Sequence, residues 1–190
     1  MIKRTFLLAG IAIVLAGLSS GASAQNAQVW SDIDCAQSKI KAPAGLKCRA
    51  TNDINGSSDA RFSKGSGGGV FKNWSAYGTQ DGTKLYYMIY DTIGPHSSKS
   101  VFLSLDQEIR NLSPYAKGGK DFTQPAQMSG ADYSRFAGAK GDACVAIRKV
   151  GPVQGSGYKW VLFANECVPA GKTISDQELG RLIEAAGYRS

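Results

Sequence analysis

Two stretches near the end of the chain have the composition and length of β-strands. Residues 143–150 (ACVAIRKV) and 158–167 (YKWVLFANEC) are rich in β-branched and aromatic residues, and glycine and proline punctuate the link between them. We therefore predict an antiparallel hairpin in which Cys144 lies opposite Cys167. The further pairs are Ala146 with Asn165, Arg148 with Phe163 and Val150 with Val161, and the other, more apolar side carries Val145, Ile147, Leu162 and Ala164.

A helix is predicted directly after this hairpin. Ser175 and Glu178 have the spacing of a capping box, and Ile174 and Leu179 have the spacing of a hydrophobic staple. Gly187 is in place to end the helix. Apolar residues recur at helical spacing, so one stripe of the helix should pack on the hairpin. That stripe consists of Leu179, Leu182, Ile183 and Ala186.

A second hairpin is predicted at residues 70–92. Two strand-like stretches, VFKNWSAYGT and KLYYMIYDT, flank Asp81-Gly82, a strong signal for a tight turn. A two-residue loop at this position sets the register of the strands. The pairs on the core-like side are Trp74 with Ile89 and Ala76 with Tyr87. The other side carries Tyr77, Tyr86, Met88 and Tyr90, here called the tyrosine face.

The tyrosine face has two possible roles. Tyrosine suits a binding surface because its ring offers apolar area and its hydroxyl offers a polar tip, which makes these four residues candidate ligand-binding residues. The alternative is that a helix or the segment 115–130 covers them, because buried aromatic side chains often fill a core. The sequence leaves both interpretations open.

The other segments have weaker patterns. Residues 25–69 contain a polar loop and a Gly/Ser-rich stretch, so we expect an irregular N-terminal segment. Residues 101–113 fit a strand that turns into a short helix before Pro114, and residues 133–136 fit a short strand. The expected fold is therefore α+β, a mostly antiparallel sheet of four to six strands with a C-terminal helix packed on one face.

Residues 1–24 have the three-part layout of a secretory signal peptide. Lys3 and Arg4 precede an apolar run, and the sequence ASA at residues 22–24 matches a cleavage site. The run is shorter than the roughly 18 residues of a membrane span. We expect residues 25–190 to form a single domain, exported by a Gram-negative bacterium to the periplasm or secreted, with no membrane span in the mature chain.

Four cysteines in an exported chain favour disulfides over thiol chemistry or zinc binding, since no Cys-x-x-Cys occurs. Three connectivities are possible. We predict Cys35 with Cys48 and Cys144 with Cys167, because each pair closes a local loop and the second pair fits the hairpin register.

Charge and motifs narrow the function classes. Removal of Lys3 and Arg4 lowers the formal net charge from +7 to +5, and the basic residues are spread along the chain without forming a run, which disfavours nucleic-acid binding. The Gly-rich residues 64–72 fit no phosphate-loop pattern. His96 is the chain's single histidine and would have to serve any imidazole-based mechanism. We predict no catalytic residue, no metal site and no cofactor.

The leading hypothesis is a non-enzymatic binding or accessory module of the bacterial envelope, whose partner is an unidentified protein or envelope component. One alternative is an inhibitor of an extracellular or periplasmic hydrolase, which requires an ordered protruding loop. The third is a small hydrolase, which requires a cleft where titratable side chains converge.

Protein purified from the periplasm should have the mass of a chain that begins at Gln25, reduced by the mass of the hydrogens lost when two disulfides form. Signal cleavage and oxidation of all four thiols produce these changes. Intact mass spectrometry and non-reducing peptide mapping measure them, and a linked peptide pair containing Cys144 and Cys167 is expected. Free thiols in this material would contradict the prediction.

Overall fold

The computed structural model describes residues 29–51, 54–55, 70–95 and 97–190. The predicted signal peptide, its cleavage site and His96 lie outside these residues. The strands are β1 (Trp30–Ile33), β2 (Ile40–Lys41), β3 (Lys47–Thr51), β4 (Ile54–Asn55), β5 (Val70–Gln80), β6 (Thr83–Ile93), β7 (Ala126–Met128), β8 (Ala131–Ala137), β9 (Ala143–Val150), β10 (Val153–Gln154), β11 (Gly157–Tyr158), β12 (Trp160–Val168) and β13 (Gly187–Tyr188). The helices are α1 (Leu105–Leu112) and α2 (Asp176–Ala185), and a 3-10 turn spans Cys35–Gln37.

Antiparallel pairing builds one large sheet in the order β1-β3-β5-β6-β12-β9-β8-β7, with β4 also paired to β5. Two short ribbons, β10 with β11 and β13 with β2, are separate from it. The mostly antiparallel α+β fold is confirmed, but the expected count of four to six strands is wrong. Several of the additional strands lie within the segment whose composition predicted irregular structure. There β1 pairs with β3, β3 and β4 pair with β5, and β2 pairs with β13 near the other end of the chain.

Both predicted hairpins form in the predicted registers. Asp81 and Gly82 have φ angles of 49° and 80°, the two positive values that a type I′ turn requires. β5 and β6 pair in the register that this turn imposes. β9 pairs with β12 so that Cys144 lies opposite Cys167.

β12 lies at the centre of the sheet, between β6 and β9. Its residues from Val161 to Asn165 are buried without interruption, as expected for a strand that is covered on both faces. Leu162 packs in the core that contains α2, and Phe163 packs in the core that contains α1. We call these two sides of the sheet the α2 face and the α1 face.

The two disulfides join Cys35 to Cys48 and Cys144 to Cys167, as predicted, so all four cysteines are paired. The first disulfide ties the 3-10 turn to β3, and the second ties β9 to β12. Two disulfides indicate an oxidising compartment. Within the described ranges, no helix has both the length and the apolar character that crossing a membrane requires.

α2 packs on the sheet through the predicted stripe and begins at the predicted cap. Leu179 and Ile183 are buried against apolar side chains of β9 and β12. Ser175 is the N-cap, and its side chain and that of Glu178 form the predicted capping box. The local signals for the start of the helix were therefore correct.

The end of α2 differs from the prediction. Ala186 is the C-cap, and Gly187 begins β13 instead of adopting the left-handed conformation of a glycine cap. Lys149 Nζ donates to the carbonyl oxygens of Ile183 and Ala186 at 3.0 and 2.9 Å. A lysine from β9 thus satisfies carbonyls at the end of the helix. Because β13 follows α2, the helix is not the last element of the chain.

The C-terminal residues hold the N-terminal segment against the sheet. β13 pairs with β2. The Tyr188 ring stacks on Trp160 with ring centroids 5.3 Å apart, and its hydroxyl donates to Asp91 Oδ1 at 3.1 Å. Burial, followed by the nearby Asp91 carboxylate, raises the pKa of Tyr188 to about 12. Tyr188 therefore stays a neutral hydrogen-bond donor at physiological pH.

Leu179→Ala should lower the free energy of unfolding by about 2–5 kcal/mol, because it opens a cavity in a core position where Leu179 is 0% exposed. Gln177→Ala, at an exposed position of the same helix, should change it by less than about 0.5 kcal/mol. Urea unfolding monitored by circular dichroism measures both. Similar effects of the two changes would mean that α2 is not docked on the sheet through this stripe.

Candidate functional site

A cleft of about 440 Å³ opens on the α1 face, beside the C-terminal end of α1. Its volume lies within the range of about 300–1,000 Å³ that small-ligand sites occupy. The lining residues are Trp30, Arg49, Ser75, Tyr77, Tyr86, Met88, Tyr90, Asn111, Leu112 and Pro114. All four residues of the tyrosine face are therefore brought together in one concave site.

Strand register arranges the floor of the cleft in rows. Arg49 on β3 lies opposite Ser75 on β5, and Ser75 lies opposite Met88 on β6. In the next row Tyr77 lies opposite Tyr86. Because strand side chains alternate between faces, residues in directly opposite positions share one side of the sheet. The floor therefore combines aromatic, thioether, hydroxyl and guanidinium groups in fixed positions.

The residues of the tyrosine face differ in exposure. Tyr86 and Met88 are only 6% and 3% exposed, and the Tyr86 hydroxyl donates to Met88 Sδ at 3.3 Å. Tyr77 and Tyr90 are half-buried. The four residues therefore divide into two pairs by exposure. Tyr86 and Met88 belong largely to the packed interior, whereas Tyr77 and Tyr90 offer more surface to the cleft.

α1 and the segment after it form one side of the cleft. α1 packs on β8, β9 and β12, and Asn111, Leu112 and Pro114 at its C-terminal end contribute to the lining. Beyond them, the Tyr115 hydroxyl donates to the carbonyl oxygen of Gly78 at 3.5 Å. The helix and the start of segment 115–130 therefore border the tyrosine face rather than covering it completely.

Arg49 provides the charge of the cleft. Among the described lining residues it is the one with a formal charge at neutral pH. Its Nε lies 3.2 Å from Asp32 Oδ1 without the alignment of a hydrogen bond, and its Nη2 donates to the Trp30 carbonyl oxygen at 3.5 Å. The Asp32 side chain is 88% exposed, so solvent weakens this ion pair. The cleft therefore carries a positive charge that is only partly neutralised.

A second group of charges lies at the Tyr90 end of the tyrosine face. Lys99 Nζ lies 4.6 Å from the centre of the Tyr90 ring, a cation–π distance. Glu108 on α1 is buried, and burial raises its pKa although Lys99 and Arg148 oppose the shift. Burial raises the pKa of Tyr90 and of Tyr86, and Glu108 adds to the effect on Tyr90. The two phenols are therefore neutral donors at physiological pH.

Sequence reasoning missed the lining residues outside the second hairpin. Trp30 and Arg49 fall in the segment that was expected to be irregular. Leu112 falls at the end of the short helix that was predicted before Pro114, but nothing in the sequence linked that helix to the tyrosine face. One signal was present, since apolar or small residues alternate with polar ones in KCRAT at residues 47–51. Arg49 stands beside Cys48, so this strand is also tied down by a disulfide.

No protein-family model matches the chain, and no curated protein or solved structure is significantly similar to it. Within the described ranges, no three His, Cys, Asp or Glu side chains are grouped as a metal ion would require. The Gly-rich stretch and His96, which the sequence raised as candidate chemistry, lie largely or wholly outside those ranges.

Glu108→Gln should make stability less dependent on pH. Burial raises the folded-state pKa above the usual value of 4.5, so the folded protein binds this proton more tightly than the unfolded chain. Stability therefore falls as pH rises from 4.5 through the raised folded-state pKa, and the uncharged glutamine removes that loss.

The variant should gain stability over the wild type at about pH 7 and gain little at about pH 4, where the wild-type carboxyl is largely protonated. Urea unfolding at the two pH values measures the difference. An equal gain at both would show that the carboxyl group does not titrate as its burial requires.

Proposed function

We propose that this protein is an exported, non-enzymatic binding module of the bacterial envelope and that the cleft on the α1 face holds its ligand. The observation that carries the proposal is the convergence of the tyrosine face with Arg49 in one open cleft. Aromatic rings supply contact area, and a few fixed polar groups supply orientation, which is the usual composition of a ligand site.

The groups in the cleft favour binding over catalysis. The phenols of Tyr86 and Tyr90 have raised pKa values and therefore remain protonated donors. Arg49 is a permanent cation that can pair with an anion but does not exchange protons near neutral pH. Rings, donors and a fixed positive charge suit recognition of an amphipathic ligand with an anionic group.

The support beneath the cleft is rigid. Its floor consists of β1, β3, β5 and β6, which are joined by a continuous hydrogen-bonded ladder. A site built on strands holds its side chains in place before the ligand arrives, so less conformational entropy is lost on binding. The two disulfides support export to an oxidising compartment, and the periplasm or the cell exterior is the proposed location.

Tyr77→Ala should reduce retention of envelope material by the immobilised mature protein about tenfold, because truncation removes an aromatic contact from the open part of the cleft. Retained sugar, lipid and protein are quantified after incubation with an envelope extract of the bacterium that produces the protein. The melting temperature is measured in parallel, and only a small decrease is expected because Tyr77 is half-buried.

Tyr133→Ala is the matched control. Tyr133 is also a half-buried tyrosine, but it packs in the core on the α2 face, so its truncation should leave retention unchanged. If both variants retain as much as the wild type, the cleft is not the binding site. If Tyr77→Ala costs about 3 kcal/mol of stability or more, as truncation of a core aromatic does, the tyrosine face is core instead.

A further inference from the structure

We infer that the ligand of this cleft is a carboxylated sugar, held with a ring against the tyrosine face and its carboxylate on Arg49. This inference rests on the proposed function, since it names the ligand class for the same cleft. It is carried by three features of the site: the mixed chemistry of the floor, the state of the Arg49 guanidinium, and the position of the tyrosine face on the inner strands β5 and β6.

The floor matches the two-sided chemistry of a sugar ring. A pyranose presents C–H groups on its faces and hydroxyl groups at its rim, so it needs aromatic surface and hydrogen-bonding groups close together. Tyr77 lies directly opposite Tyr86, and Ser75 occupies the neighbouring row on the same strand. Tyrosine serves both needs because its ring is apolar and its hydroxyl donates or accepts. Asn111 adds an amide at the wall.

The surroundings of the Arg49 guanidinium suit the binding of a ligand carboxylate. Asp32 Oδ1 already lies 3.2 Å from its Nε, so the site holds an acidic group against the guanidinium. That group comes from a side chain that is 88% exposed and whose ion pair is therefore weak. A ligand carboxylate inside the cleft would bind in a less hydrated position and could use two N–H groups at once. We expect it to displace Asp32 from the guanidinium.

The position of the cleft disfavours the common modes of peptide binding. The backbones of β3, β5 and β6 are paired on both sides, so an added strand could pair only with the edge strand β1 and would lie beside the tyrosine face, not on it. An amphipathic helix or an acyl chain would need a predominantly apolar groove. This lining instead includes a guanidinium, a hydroxyl, an amide and three phenols. A small polar ring with one anionic group satisfies more of these donors.

Two sources in a bacterial environment share this chemistry: polysaccharides that contain uronic acids, and the muramic acid units of the cell-wall glycan that carry no peptide, whose carboxyl group is free. Both combine a pyranose ring with a carboxylate. We therefore test three probes of similar length by isothermal titration calorimetry with the mature protein. They are an oligogalacturonate, a peptide-free glycan fragment that contains muramic acid, and a neutral chito-oligosaccharide.

At least one carboxylated probe should bind the wild type, and the neutral probe should bind more weakly by about tenfold or more, because it lacks the charge-assisted contact. Arg49→Gln should remove that difference, and Arg49→Lys should retain only part of it because lysine lacks the planar fork. Asp32→Asn should strengthen binding of the carboxylated probe, because the competing carboxylate is gone. Arg181→Gln, an exposed position on α2, is the control and should change nothing.

Preference for one carboxylated probe identifies the source and supports the inference. Equal binding of neutral and carboxylated probes, unaffected by Arg49→Gln, would overturn the carboxylate assignment. If no saccharide binds while retention of envelope material still depends on Tyr77, the sugar class is wrong and the proposed binding cleft stands. If retention is also independent of Tyr77, both the ligand class and the proposed function are wrong.

Discussion

The pairing of β12 with β6 on one side and β9 on the other sets the position of nearly every other element. Side chains alternate along a strand, so a slip of one residue in either ladder would exchange the α1 face and the α2 face. The disulfide between Cys144 and Cys167 opposes such a slip in the β9–β12 ladder, because it joins two residues that lie opposite each other. The Asp81-Gly82 turn sets the register of the neighbouring β5–β6 ladder.

The two faces of this sheet are covered to different extents, and the cleft follows from the difference. On the α2 face, α2 and the C-terminal residues close the core together. On the α1 face, α1 has eight residues, so it is about 12 Å long. The eight strands along the main path, spaced by about 4.8 Å, span roughly 34 Å. One short helix cannot cover that width, and it sits over β8, β9 and β12. The tyrosine face lies on β5 and β6, beside the part of the sheet that α1 covers.

The N-terminal segment completes the site and also supplies its charge. β3 brings Arg49 to the floor, and β1 brings Trp30 and Asp32 beside it. Their position depends on the local disulfide from Cys35 to Cys48, on the pairing of β3 with β5, and on the pairing of β2 with β13 near the other end of the chain. An oxidising compartment therefore supports the geometry of the cleft as well as the stability of the fold.

The sequence by itself determined what local chemistry controls. The Asp-Gly turn and the alternation of residue types were enough to place Tyr77, Tyr86, Met88 and Tyr90 on one side of a hairpin, and the capping box was enough to start α2 at the right residue. The sequence could not show that Gly187 would extend a strand instead of ending a helix, because its partner on β2 lies almost 150 residues away. It also could not place Arg49 beside the tyrosines, because β3 was not predicted as a strand and its pairing with β5 could therefore not be derived. Whether those tyrosines were covered or open was decided only in the tertiary structure, since it depends on how far α1 extends across the sheet.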